Sequence, residues 1–402
     1  MEKPKNKNNF CIRPFNSAWL GANGDLKVCC MINPLKSTFP NIKQDNIKQT
    51  KLQSWWNSDY LEYLRHSFMK NERPSECVEC WKKEDNGMTS HRSRSNKDHK
   101  AIFQNKYERN LQLIGKDNLD LPEDVQMNVT NLCNLKCQMC SGENSSKLLV
   151  ENNALGYEDL DQKDFDLKDS DYQDILQLVK HDLKVLMILG GEPFFNPRVI
   201  KLLEMLVQNG QAKKIKLHVT TNGTMCNDKI LSLLKEFPDL RLVFSCDGSG
   251  TCNDYMRFPS SWQVVSNNIK QLKRLKNANT SINCVVQNLN VLYVDQLIKF
   301  ANENKIFIKL NVVTGKEWLH PLILPKNVLR IAHKKLSSIK KENLIHTDAV
   351  EEIINLLGKH IDNYNLDEDT YKKFIDMVNK RDNYRKIHIK NYMPELAEKI
   401  LQ

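Results

Sequence analysis

Between Val125 and Val313 the chain alternates short β-branched runs with longer amphipathic segments, and this alternation constrains the fold more than any other feature. Val125–Val129, Lys184–Leu189, Ile215–Thr220, Leu240–Ser245, Ile282–Val286 and Phe307–Val313 predict strands. Ser145–Asn152, Pro197–Gln208, Asp228–Leu234, Trp262–Lys276 and Val291–Asn304 predict helices. Six strand-then-helix steps return each strand in the direction of the last, so the sheet they build is parallel. The acidic insertion from Tyr157 to Ser170 reads as a loop, followed by a helix over Asp171–Lys180. In such a sheet the residues that do chemistry gather at the C-terminal strand ends, where the βα loops cluster.

Two flanks of different texture bracket this region. The N-terminal one mixes aromatics, cysteines and turn residues. Asn23-Gly24-Asp25 between apolar neighbours signals a hairpin whose second strand would carry Cys29 and Cys30. Leu52 to Met69 has helical spacing, Trp55-Trp56 reads as module core, and Lys82 to Asn110 is charged enough to be a linker or exposed helix. After Pro325 the chain is Lys-rich with helical periodicity over Leu329–Lys340, Ala349–Asp362 and Tyr371–Lys380. We therefore expect three parts: residues 1–110, 111–320 and 321–402. A length of 402 residues accommodates them, and 40% hydrophobic against 27% charged residues excludes a largely disordered chain.

Lys and Arg outnumber Asp and Glu by 59 to 49, which weakly favours an anionic partner such as nucleic acid. The basic clusters Arg92–Lys100 and Arg381–Lys390 read as solvated faces or anion contacts. No apolar run follows the polar stretch Met1–Asn9, and Val185–Leu189 is too short to span a bilayer, so no membrane is expected and the chain reads as cytoplasmic. In that compartment thiols stay reduced, and the 12 cysteines read first as metal ligands.

Cys133-Asn-Leu-Lys-Cys137-Gln-Met-Cys140 directly follows the first strand of the α/β region. Three thiolates at spacings of four and three reach three corners of a [4Fe–4S] cubane and leave its fourth iron without a protein ligand. A structural zinc site would use four protein ligands, commonly from two separated pairs. Cys11, Cys29, Cys30, Cys77 and Cys80 offer five thiols to a second, four-ligand site, which on thiol count alone is equally a zinc or an iron–sulfur site. Neighbouring residues on a strand point to opposite faces, so one of Cys29 and Cys30 is the ligand, with Cys29 preferred, and the other is buried.

On these residues the chain resembles the radical S-adenosylmethionine superfamily, whose motif is Cys-x3-Cys-x2-Cys after the first strand of a six-stranded partial βα barrel. The resemblance implies a catalytic [4Fe–4S] cluster on Cys133, Cys137 and Cys140, with S-adenosylmethionine chelating the open iron. It also implies reductive cleavage to a 5′-deoxyadenosyl radical that abstracts a substrate hydrogen, with the electron coming from an external donor such as flavodoxin or ferredoxin. Met139 stands where many members place an aromatic beside adenine, and its sulfur packs on a ring. Gly190-Gly191-Glu192-Pro193 after the second strand looks like the motif that holds the methionyl amino group.

Three further strand ends put polar groups at the barrel mouth: Thr221-Asn222 after the third, Ser245 and Asp247 after the fourth, Gln287-Asn288 after the fifth. They are expected cofactor-binding residues, with Asp247 on the ribose or the substrate. The N-terminal run with Pro14-Phe15, Trp19 and Cys77-x2-Cys80 looks like a twitch or SPASM-type module, which implies that the second site is an auxiliary [4Fe–4S] cluster. Pro321, Leu324-Pro325 and Pro394-Glu-Leu396 resemble the same group.

The expected fold is thus α/β, a partial (β/α)6 TIM-like barrel with a small Cys-rich N-terminal module and a helical C-terminal extension. The expected substrate is a peptide or protein, ahead of RNA or a nucleotide sugar. The competing reading is a non-catalytic zinc or iron–sulfur protein that binds nucleic acid or a protein partner. Cys226, Cys246, Cys252 and Cys284 read as buried thiols, with Cys226 and Cys246 near enough to the mouth to serve as catalytic thiols, and His218 as a structural strand residue.

Overall fold

The computed structural model describes residues 9–40, 45–98, 120–165, 183–339 and 347–401, with 168, 170 and 176 between them. The helix expected over Asp171–Lys180, apart from Leu176, and residues 99–110 of the linker expected at Lys82–Asn110 lie outside the described residues. The chain forms two compact units. One holds residues 1–131, 162–190 and 201–217, the other 132–161, 191–200 and 218–402.

In the first unit, β1 (Ser17–Leu20) and β2 (Leu26–Lys27) make the hairpin expected around Asn23-Gly24. β1 also pairs in parallel with β3 (Asp124–Asn128), so the N-terminal module extends the sheet, which its short apolar runs did not signal. β3 pairs in parallel with β4 (Val185–Leu189). The single helix expected over Leu52–Met69 is two, α1 (Leu52–Trp56) and α2 (Asp59–Met69). The break falls where Ser58 accepts from the Leu61 N–H and so starts a new helix. Trp55 and Trp56 are buried as expected, and the buried Arg65 stacks on Trp56 at 4.6 Å and donates to the Pro14 and Trp56 carbonyls. α3 (Val78–Asp85) follows Cys77, and residues 91–98 are helical.

Arg92 is not on a solvated face. It is buried, pairs with Glu84 and donates to the Phe10 carbonyl.

β5 (Lys216–Thr221) runs across the boundary between the units. In the second unit β6 (Asp239–Ser245), β7 (Ala278–Val286) and β8 (Phe307–Val312) pair in parallel in that order. The expected helices are α4 (Ser146–Ala154), α5 (Pro197–Gln208), α6 (Asp228–Lys235), α8 (Trp262–Lys273) and α9 (Val294–Glu303). α7 (Gly250–Met256) was not expected, because its polar Gly-Thr-Cys-Asn-Asp start carries no apolar period. α5 buries Val199, Leu202, Leu203 and Leu206, the stripe that a 3.6-residue period places on one face. The C-terminal extension is helical: α10 (Lys326–Ile339), α11 (Thr347–Asp362), α12 (Glu368–Arg385) and α13 (Pro394–Ile400). No described helix is long and apolar enough to cross a membrane.

Candidate functional site

The cysteine loop of the second unit lies between β3 and α4 and has no regular secondary structure, so its peptide groups must find partners elsewhere. The N–H groups of Lys136 and Gln138 donate to the carbonyls of Phe258 and Met256, and Ser145 Oγ donates to the Leu135 carbonyl at 2.6 Å. Cys133 and Cys137 are buried, with Cys140 and Met139 partly buried against them. Burial raises all three thiols, Cys133 to about 11 and Cys137 furthest.

Two donors are aimed at sulfur. The Leu135 N–H lies 3.5 Å from Cys133 Sγ, and Arg257 Nη1 lies 3.7 Å from Cys137 Sγ. Thiolate ligands of iron–sulfur clusters are supported in this way, so the loop suits such a cluster. Among the described residues no three His, Cys, Asp or Glu side chains converge on a single ion, whereas a cubane spreads its ligands over several irons.

The Gly190–Pro193 turn is built against this loop. Both glycines have positive φ. A Cβ at Gly191 would overlap the Leu132 carbonyl, which instead accepts the Glu192 N–H at 2.9 Å, one residue before Cys133. Glu192 is 1% exposed, and its carboxylate accepts from Thr221 Oγ1 and the Asn222 N–H, both at 2.6 Å, and from the Phe194 N–H at 3.2 Å. Burial outweighs these donors and pushes Glu192 up to about 7. Asn222 Nδ2 also donates to Asn134 Oδ1 inside the cysteine loop at 2.9 Å. Glu192, Thr221 and Asn222 are therefore brought together with the loop, and Pro193 is buried behind them.

Other expected residues fall elsewhere. Asp247 is fully buried and turned away from any open surface. Its Oδ2 pairs with Arg257 Nη2 at 2.6 Å and its Oδ1 accepts from the Val285 N–H at 2.8 Å. Asp247, expected on the ribose or the substrate, here holds Arg257, whose Nη1 lies against Cys137 Sγ. Ser245 is half-buried at the end of β6. Gln287 is buried with neither side-chain amide atom hydrogen-bonded, and Asn288 uses its Nδ2 on the Trp318 carbonyl and leaves Oδ1 unpaired. Buried amides without protein partners are groups that a bound ligand would satisfy. Cys246, Cys252 and Cys284 are buried thiols with raised pKa, and Cys226 is half-buried beside Gln271. His218 is half-buried on β5.

Sequence reasoning missed Arg257, Lys316, Arg381, Arg385 and Glu151. Arg381 and Arg385, expected on a solvated face, are buried. The signal was available: they continue the buried stripe Phe374, Met377, Val378 of α12 at helical spacing.

In the first unit Cys11, Cys29, Cys77 and Cys80 line one cavity with Arg13 and Arg92. Cys29 and Cys30 do not sit on a strand, because β2 ends at Lys27 and the pair occupies the turn that follows. Cys29 is buried and Cys30 exposed, so the expectation that the second thiol would be buried is corrected. Burial raises Cys11 to about 12 and Cys29 to about 11. We expect Cys29→Ala to lose about half of the bound iron and Cys30→Ala to keep it all, measured by iron analysis of anaerobically reconstituted protein. The reverse pattern would reassign the ligand.

Residues 127–301 match the model of the radical SAM superfamily, and residues 11–81 that of an iron–sulfur cluster-binding domain, SPASM. An uncharacterised protein of Methanocaldococcus jannaschii is 27% identical over 58% of this chain and 69% of its own length. The radical SAM cyclopropyl synthase TigE of Paramaledivibacter caminithermalis is 28% identical over 39% of this chain, which spans about a third (34%) of that protein. The crystal structure of Streptococcus suis SuiB bound to S-adenosylmethionine aligns with 86% of this chain and 72% of its own, at 19% identity and a TM-score of 0.41. Residues 127–301 thus form a radical SAM domain, which brings a [4Fe–4S] cluster and S-adenosylmethionine, and residues 11–81 a SPASM domain, which brings further iron–sulfur clusters.

Proposed function

We propose that Cys133, Cys137 and Cys140 hold the catalytic [4Fe–4S] cluster, and that Glu192, Thr221, Asn222 and Gln287 form the S-adenosylmethionine site. Cys11, Cys29, Cys77 and Cys80 would hold an auxiliary cluster. The observation that carries the reading is the direct bond between the two motifs, Glu192 N–H to the Leu132 carbonyl, which fixes a buried carboxylate beside a three-thiol loop. When bound, the cluster and S-adenosylmethionine supply a 5′-deoxyadenosyl radical for hydrogen abstraction, on an electron from a donor such as flavodoxin or ferredoxin. The protein's share is positional. Thr221 and Asn222 hold the Glu192 carboxylate in place for an ammonium group, and Arg257 holds Cys137.

A peptide or protein segment is the substrate class we favour. A cavity of about 280 Å³ beside the cysteine loop is lined by Tyr157 and Trp318 together with Lys316, Lys373, Glu158 and Asp376. Aromatic faces with charges of both signs suit a polypeptide better than a polyphosphate, whose charge the two carboxylates would oppose.

The decisive assay is anaerobic: reconstituted protein, dithionite and S-adenosylmethionine, with 5′-deoxyadenosine read by mass spectrometry and peptides screened for enhanced turnover. Its absence from fully iron-loaded protein under every screened substrate would overturn the reading. Because Glu192 must be ionised to hold an ammonium group and its carboxyl is raised to about 7, S-adenosylmethionine affinity should weaken as pH falls below that value. The limiting dependence is about tenfold per pH unit. Glu192→Gln should bind weakly and without that pH dependence in equilibrium binding, and wild-type-like affinity would remove Glu192 from the site.

A further inference from the structure

We infer that α12 is a latch on the cysteine loop, with Arg381 and Arg385 as positioning residues that set the loop's conformation and the reduction potential of the cluster it holds. Only the potential rests on the proposed ligand set; the latch is a property of the chain itself. Arg381 Nη1 donates to the Gln138 carbonyl at 2.8 Å and to Gln138 Oε1 at 2.9 Å. Arg385 Nη2 donates to the Lys136 carbonyl at 2.8 Å. The N–H groups of the same two residues are taken by Met256 and Phe258, so alternate peptides of the loop are gripped from both sides. Lys316 Nζ adds a third cationic donor on the Cys140 carbonyl at 2.6 Å.

The arginines are held in turn by α4. Glu151 is fully buried and accepts from Arg385 Nε and Nη2 at 2.6 to 3.0 Å, while Asn152 Oδ1 accepts from Arg381 Nη2 at 3.2 Å. Tyr255 donates to Asp382, between the two arginines on α12, at 2.8 Å, which fixes the register of the helix. Guanidiniums so deeply buried are costly to place, and the donors they use are spent on the loop and on α4, with Arg381 Nε and Arg385 Nη1 left without a hydrogen bond. The cations Arg381, Arg385, Lys136 and Lys316 outnumber the acids that face them around the loop, Glu151, Glu158 and Asp382. Such an excess of positive charge favours addition of an electron to a cluster held there, because the reduced form is the more negative.

The test uses Arg381→Met and Arg381→Lys in the full chain, with two readouts. In metal-free protein, amide exchange across residues 133–140 should rise about tenfold or more in Arg381→Met, the loss expected for a charged hydrogen bond. In reconstituted protein, a spectroelectrochemical titration should place the loop cluster at a more negative midpoint in Arg381→Met, largely restored in Arg381→Lys, with the N-terminal cluster unmoved. Arg385→Met takes from the buried Glu151 the guanidinium that hydrogen-bonds it and can unfold the chain, so it is made together with Glu151→Gln, and that pair should reproduce both shifts. Unchanged exchange and an unchanged midpoint in Arg381→Met would overturn the latch. Faster exchange with no cluster on the wild-type loop would keep the latch and overturn the proposed ligand set instead.

Discussion

Replacing Cys133, Cys137 and Cys140 together by Ala is expected to abolish S-adenosylmethionine cleavage while the N-terminal iron stays in place. The thiols are buried, and burial holds their protons on: Cys133 is raised to about 11. A ligated metal has to displace those protons, so binding at this loop is available only to an ion or cluster that bonds thiolate strongly. With the sulfurs gone, the donors that serve them, the Leu135 N–H and Arg257, have nothing to support. Cys11, Cys29, Cys77 and Cys80 belong to the other compact unit and line their own cavity, so their occupancy does not depend on the loop. Iron should fall to about half, the charge-transfer absorption should fall with it, and 5′-deoxyadenosine should disappear. Retained cleavage would remove the loop from the chemistry, and loss of all iron would show that the two sites form one assembly.

The motif loops were legible because their chemistry is local. Three cysteines at spacings of four and three, and two glycines before a glutamate and a proline, carry the same meaning wherever the strands before them lead. The parallel strands were legible for a similar reason, since β-branched runs such as Val185–Leu189 stand out against polar neighbours. What the sequence hid was long-range. Nothing near Ser17–Leu20 shows that it pairs with Asp124–Met127 more than a hundred residues on. Arg381 looks like a surface residue until Gln138, separated from it by 243 positions, turns out to be its acceptor.

Charged residues mislead most in such a reading. Composition counts every arginine as surface, whereas Arg65, Arg92, Arg257, Arg381 and Arg385 are all buried here, each on a carbonyl, a carboxylate or a thiol. The formal excess of +10 is not consumed by this burial, because the buried arginines are matched among the described residues by buried Glu76, Asp124, Glu151, Glu192, Asp247 and Asp382.

The second large effect is expected at Asp247, where ligand contact and internal support make opposite predictions. If Asp247 held ribose, Asp247→Ala would weaken S-adenosylmethionine binding and leave the metal-free chain as stable as before. The geometry requires the other result. Asp247 is 0% exposed, paired with Arg257 at 2.6 Å and bonded to the Val285 N–H at 2.8 Å, so its removal strands a buried guanidinium and a strand N–H together. Breaking one side of a buried pair costs about 3–5 kcal/mol, because the remaining charge has lost both water and partner. Denaturant unfolding of the metal-free protein should show that loss in Asp247→Ala. Adding Arg257→Met should recover part of it, since removing both charges removes the stranded one. The double variant should still assemble a weaker cluster than wild type, because Cys137 Sγ no longer receives a guanidinium donor. Full stability in Asp247→Ala with weakened cofactor binding would return Asp247 to the ligand site and leave Arg257 to be held by another group.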